Sequence, residues 1–399
     1  MKYFLTFSLT LILLISTAAF LLQYNPLNQN IQETPFYVGV TFCGNTTSEA
    51  KMLIDRVKTY TNLFVLQSGP ISKNETAINE ICDYAVASGL HLIVYFGWFD
   101  TDHLWQIPWL DFAKQRWGDR FLGVYYYDEP GGIQIDINWK NLLNQIKMRN
   151  STLFESLVPI IECYLTGTLP RDYDEGTKRY IDAIRSDSGL KELKSHSIVS
   201  FVSDYALYWF DYLGGFDVVL AQFGWNNSVV QDIALVRGAA RMQNKSWGAI
   251  ITWKYTEPPY LDSGDKIYQQ MCMAYKAGAE YIMIFNYPQL NDNPYGIMKD
   301  EHFETLENFW NKIVKNKNVI HNSAKAEAVL VLPRNYGWGM RYLDDRIWYW
   351  GPDEKSPQIW ELSRKLLSKY SYHLDIVYED LNFPVINQYE EIFYWNDLI

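Results

Sequence analysis

Two segments of this chain set a carboxylate among aromatic and turn residues: Glu129 in YYYDEPGG (125–132) and Glu257 in TWKYTEPPY (252–260). Cleaving a glycosidic bond needs two such groups flanking it. One is a protonated acid for the leaving oxygen; the other is a nucleophile, or the base for a water. Tyr and Trp walls suit that chemistry, because they exclude water, raise the acid's pKa by desolvation and stack on sugar rings. Glu129 and Glu257 are therefore the expected catalytic pair. A plainer origin for both motifs is turn geometry and helix capping, since Pro fixes φ, Gly supplies positive φ, and acids favour helix N-termini. Strand alternation adds a constraint: if the strand runs that far, Asp128 and Glu129 point to opposite sides and only one faces a pocket.

What must position these residues is an alternation, from residue 36 onward, of short β-branched and aromatic runs with helical-period segments, the pattern of βαβ units and a parallel sheet. The strands are expected at 36–42, 63–68, 91–98, 121–128, 197–203, 216–225, 247–255 and 280–288. Eight strands, each followed by a helix-like segment, predict a closed (β/α)8 TIM-like barrel over 34–318. One region resists the count: almost 70 residues separate the fourth strand from residue 197, and the apolar stretch SLVPIIECYLTG within them could form the fifth strand or part of a helical insertion, the period favouring the insertion. Beyond a Lys/Asn-rich connector, AEAVLVLP, SPQIWELSRKLLSKY, HLDIVYE and EEIFYWN predict a small C-terminal α/β subdomain over 325–399, packed beside the barrel.

In such a barrel the active site lies at the C-terminal ends of the strands. The residues there are acidic and aromatic, with Phe42, Cys43, Gln67, Asp100 and Tyr205 beside the stronger candidates. Those expected to contact substrate are Trp98, Tyr127, Asp128, Asp204, Gln222, Trp225, Trp253, Tyr255, Asn286 and Tyr287, with Asp128 and Asp204 as reserve acids. On these residues the chain resembles the TIM-barrel glycoside hydrolase superfamily, of the retaining type with acids on strands four and seven. The resemblance implies Glu129 as acid/base and Glu257 as nucleophile. The C-terminal unit is loosely similar to the appended domain of large β-galactosidases of that superfamily. Two departures stand out: the usual Asn-Glu pair of strand four is Asp128-Glu129 here, and Glu257 lies several residues into its loop.

Residues 3–22 form a mostly apolar run behind Lys2, long enough for a spanning helix. A cleavable signal usually has a shorter apolar stretch, although Ser16 to Ala19 are small enough for a cleavage site. The expectation is an N-terminal membrane anchor or signal plus linker over 1–33, with the bulk of the chain outside the cytoplasm. Sequons at Asn45, Asn74, Asn150, Asn226 and Asn244 fit a glycoprotein surface. The one at Asn226 adjoins Trp225, so a glycan there would crowd the mouth of the expected site.

Composition excludes other classes. A net charge of −11 without a basic run argues against nucleic acid as partner. Cys43, Cys82, Cys163 and Cys272 form no CxxC or Cys/His spacing, and the six His show neither HxH nor HExxH, so no metal is expected. No GxSxG elbow, P-loop or dinucleotide fingerprint occurs, which leaves a cofactor-free site. The aromatic fraction of 16% exceeds what a sugar site needs, so most rings are expected to pack. The partner expected is a carbohydrate. It is either the substrate of a glycosidase or, in a catalytically silent barrel, the ligand of a cell-surface glycan-binding protein.

Overall fold

A computed structural model describes residues 35–99, 101–137, 170–225, 227–287 and 293–398. The membrane or signal segment expected over 1–33, the apolar stretch at 156–167, Asp100, Cys163 and the sequons at Asn150 and Asn226 lie outside those residues. Among the described residues no helix is long and apolar enough to cross a membrane.

Eight parallel strands close into a barrel in sequence order. They are β1 (Tyr37–Phe42), β2 (Leu63–Leu66), β3 (His91–Gly97), β4 (Phe121–Asp128), β5 (Ser200–Asp204), β6 (Val218–Phe223), β7 (Ser246–Ile251) and β8 (Tyr281–Ile284). β1 pairs with both β2 and β8, which completes the ring. The fifth strand falls where the period placed it. Strands six to eight stop short of their expected ends, because Trp225, Trp253 and Asn286 have already turned into the loops.

Side-chain alternation builds two cores. Leu63, Val65, Ile93, Phe201, Leu220 and Met283 fill the barrel interior. Their neighbours Phe64, Leu66, Val94, Val202 and Ala221 face outward into the larger core beneath the helices. Burying each large apolar side chain of this kind contributes about 1.5–3 kcal/mol. The surrounding helices are α1 (Thr47–Val57), α2 (Glu75–Ala87), α3 (Gln106–Trp117), α4 (Pro130–Asp136), α5 (Tyr173–Ser186), α6 (Ser188–Ser195), α7 (Tyr208–Gly214), α8 (Val229–Met242), α9 (Gly264–Lys276) and α10 (Asp300–Phe309). Local sequence starts several of them: Thr46 and Glu49 form a capping box on α1, and Asn74 accepts from the Ala77 N–H to cap α2.

After the barrel come β9 (Ala328–Leu332), α11 (Ser356–Tyr370), β10 (Leu374–Tyr378) and β11 (Glu391–Tyr394). The three strands form a parallel sheet in the order β10-β9-β11. Phe36–Ile399 is one compact unit. β10 lies against α8, and the buried Arg237 of that helix donates to Asp375 Oδ1 at 2.7 Å and to the Leu374 carbonyl at 3.0 Å.

Candidate active site

The end of β4 breaks the strand's own rule. Its pairing with β5 shifts register between Tyr125 and Asp128, and the backbone enters the left-handed region at Tyr127 (φ 67°) and Glu129 (φ 57°). Residues without a glycine's freedom pay about 1–3 kcal/mol for such conformations, which persist where surroundings enforce them. The consequence is that Asp128 and Glu129 both face the barrel mouth, contrary to simple alternation. The side chain of Tyr127 turns away, and its hydroxyl donates to Asp187 Oδ2 at 2.9 Å.

What enforces the turn is Asp204. This fully buried carboxylate ends β5 and accepts from the N–H groups of Gly131 (2.5 Å), Gly132 (2.8 Å), Tyr205 (2.7 Å) and Ala206 (3.2 Å). It thereby holds the first turn of α4 directly behind Glu129. The two glycines are required there, since a Cβ on Gly132 would lie 2.0 Å from the Tyr205 ring and one on Gly131 2.5 Å from the Ala206 carbonyl. Asp204 thus does not line the cleft, although its position at a strand end had suggested a substrate contact. It is a brace behind the site, because burial and four backbone donors consume its oxygens.

The cleft itself, about 260 Å³, is lined from the ends of β4 and β5 by Tyr125, Asp128, Glu129 and Ser203, and from β6 by Gln222 and Trp225. Ile250, Thr252, Trp253, Phe285 and Tyr287 line it from β7 and β8, and Gln67 completes it from β2. Asp128 Oδ1 accepts from the Tyr125 hydroxyl at 2.6 Å and from the Ser203 hydroxyl at 2.8 Å. Gln222 Nε2 stands 2.8 Å from Glu129 Oε1 and 3.0 Å from Ser203 Oγ, which links the two carboxylates through one chain of side chains. Burial raises both acids. For Glu129 the charge of Asp128 adds to the rise and the Gln222 hydrogen bond opposes it, and for Asp128 the Tyr125 and Ser203 hydroxyls oppose the rise without cancelling it. On the other side, Trp253 packs edge-on against Tyr287 with ring centres 5.3 Å apart, and Trp225 lies 6.4 Å from Trp253. This forms an aromatic wall.

The remaining candidates lie outside this cleft. Glu257 and Tyr255 are exposed and line a separate shallow groove with Lys254, Thr256, Pro258 and Pro259, which shares only Trp225 with the cleft. Glu257 is therefore not brought opposite Glu129: its loop carries it past the end of β7 into solvent. Trp98 is 62% exposed after β3. Asn286 is buried and structural, accepting from the Met298 N–H and donating its own N–H to Thr41 Oγ1. Tyr125 and Ser203 were not among the expected site residues, although both sit on inward-facing strand positions where side-chain parity would have found them. Among the described residues no group of His, Cys, Asp and Glu is arranged to hold a metal ion.

No protein-family model and no curated protein matches this sequence. Among solved structures, the chain aligns with a Rhizomucor miehei β-1,3-glucanosyltransferase at 12% identity over 67% of this chain and 94% of that one (TM-score 0.39). It aligns with a GH99 endo-α-mannosidase from Bacteroides thetaiotaomicron at 9% identity over 69% and 96% (TM-score 0.39). A truncated 3-deoxy-D-arabino-heptulosonate 7-phosphate synthase from Thermotoga maritima aligns at 8% identity over 70% and 85% (TM-score 0.37). Likenesses this distant, to enzymes of unlike chemistry, carry no inference about the reaction.

Proposed function

We propose that this chain is an extracytoplasmic glycoside hydrolase, tethered or exported through its N-terminal segment, that acts on a polysaccharide or surface glycan. The observation that carries the reading is the meeting of two carboxylates, Asp128 and Glu129, in one cleft walled by Trp225, Trp253 and Tyr287. Glu129 is the general acid, Asp128 the ionised partner, and Gln222 the residue that orients Glu129. The apolar run at 3–22 supports the compartment.

Replacing Glu129 by Gln keeps the hydrogen-bonding shape and removes the proton. The E129Q variant is expected to lose roughly 10²–10⁴-fold in kcat on an unactivated glycoside while melting near the wild-type temperature. The wild-type rate should fall as pH rises through the raised pKa of Glu129, and E129Q should lack that alkaline limb. Unchanged turnover in E129Q would remove Glu129 from the mechanism. A second reading, a silent barrel that binds glycans, is favoured by one feature: Glu257 does not line the cleft, so no carboxylate from β7 faces Glu129. Calorimetric glycan binding without turnover by the wild-type chain would select it.

A further inference from the structure

The two carboxylates of the cleft are consecutive residues on one strand, and that arrangement limits what they can do. An inverting hydrolase needs its base on the far face of the sugar from its acid, and a retaining one needs a nucleophile there. In an eight-stranded barrel the strand across from β4 is β8, and its end supplies Phe285 and Tyr287; β7 beside it supplies Ile250, Thr252 and Trp253. Among the described lining residues the only carboxylates are Asp128 and Glu129. One acid is present to protonate a leaving oxygen, and among the described residues no carboxylate lines the opposite wall to attack the anomeric carbon.

Asp128 is held in a particular way. Its Oδ1 takes the hydroxyls of Tyr125 and Ser203, and no described residue donates to Oδ2. A fixed carboxylate with one oxygen spare, beside the acid, is an acceptor for a donor that the substrate brings. From these observations we infer that the substrate supplies its own nucleophile: a glycoside bearing an acylamino group on the ring carbon next to the anomeric one, trans to the leaving oxygen. The inference rests on the glycosidase reading and names its substrate class. The acyl oxygen closes a five-membered ring on the anomeric carbon, whereas a hydroxyl at the same position could close only a strained three-membered one. The apolar side chains of Ile250 and Phe285 in the cleft suit the acyl methyl.

The reaction balances with these groups alone. The acyl oxygen attacks the anomeric carbon as the bond to the leaving oxygen breaks. That oxygen keeps the electron pair and takes the proton of Glu129. The bicyclic cation so formed is countered by Asp128, which accepts the hydrogen bond of its N–H. Water then adds to the anomeric carbon and gives a proton back to Glu129, and the bond to the acyl oxygen breaks, restoring the acylamino group. The products are the free sugar, with configuration retained, and the alcohol.

The test uses the full chain and nitrophenyl glycosides of acetamido sugars, with their hydroxyl counterparts as controls. Fluorine added stepwise to the acetyl group weakens its oxygen as a nucleophile. The inference predicts turnover of the acetamido glycosides with rates that fall at each added fluorine. It also predicts that D128N loses roughly 10²–10⁴-fold on every leaving group, while the loss in E129Q shrinks on the activated nitrophenyl one. The fluorine series is read on the wild-type chain and so does not depend on how a variant folds. A flat series, or equal turnover of the hydroxyl glycosides, overturns the inference and leaves the glycosidase reading standing. Binding of the acetamido sugars with no turnover of either class overturns the glycosidase reading, and the inference with it.

Discussion

At the scale of single residues, the acids that organise this site are not all in it. Asp204 and Asp211 are both fully buried behind the cleft, with Tyr180 donating to Asp211 Oδ1 at 2.5 Å. Burial pushes Asp204 up to about 7 despite its four backbone donors, and burial together with the charge of Asp204 pushes Asp211 well above the carboxylate range. A carboxyl raised on folding binds its proton more tightly in the native state. Its stabilisation is therefore complete below the unfolded value of about 3.9 and is lost as pH rises through the folded one. The melting temperature of the wild-type chain is expected to fall between about pH 4 and neutrality on this account. D211N, neutral and of the same shape, should flatten that slope and melt higher than wild type at neutral pH. A melting profile in D211N with the wild-type slope would rule out this pair as its source.

Elements, more than residues, decide where Glu129 points. The short α4 that follows it is held at its start by Asp204 and at its end by the segment 334–351, which follows β9. Arg341 reaches both oxygens of Asp136 at 2.7 Å and both of Asp345 at 2.8 Å, and Arg346 donates to the carbonyls of Ile135 (3.2 Å) and Ile137 (2.9 Å). Asp345 is buried, so removing Arg341 leaves an uncompensated charge, a loss of about 3–5 kcal/mol. R341A is expected to lower the melting temperature and, in whatever folds, to reduce kcat by releasing α4. The alkaline limb set by Glu129 should stay in place. A variant that melts like wild type would show that the C-terminal segment does not brace the turn. The same elements explain which parts of the site the sequence revealed. Gln222, Trp225, Trp253 and Tyr287 line the cleft because strand ends point there in any barrel. Parity along β4 assigned Tyr127 to the same face as Tyr125 and Glu129, and Asp128 to the other. The left-handed residues at 127 and 129 exchange those positions, and that exchange is enforced from β5.

For the whole molecule, buried polar contacts tie the C-terminal sheet to the barrel helix α8. Arg237 on α8 and Asp375 on β10 are both buried, Tyr389 donates to the second oxygen of Asp375 at 2.9 Å, and the Arg237 Nη1 donates to the Ala324 carbonyl at 3.1 Å. R237A leaves the buried Asp375 with only the longer ion pair to Arg241 at 3.8 Å and the Tyr389 hydroxyl, and is expected to cost up to about 3–5 kcal/mol. The loss should appear as one cooperative melting transition at a lower temperature. A separate early transition, with the barrel melting unchanged, would show that the two parts fold independently.

Local chemistry was sufficient to determine the number and places of the strands, because apolar period and turn residues act within a few positions of themselves. It also determined the end of the barrel at which acidic and aromatic residues gather, since a parallel barrel brings all its strand ends to one side. Whether Glu257 meets Glu129 depends on the path of an irregular loop after β7, whose direction no periodic pattern records. That Asp128 and Glu129 share a cleft depends on a bulge against β5 and on a carboxylate buried 75 residues further along the chain, at Asp204. Contacts between such distant residues exist only after the barrel has closed, which is why the tertiary structure alone decided the pairing of the acids.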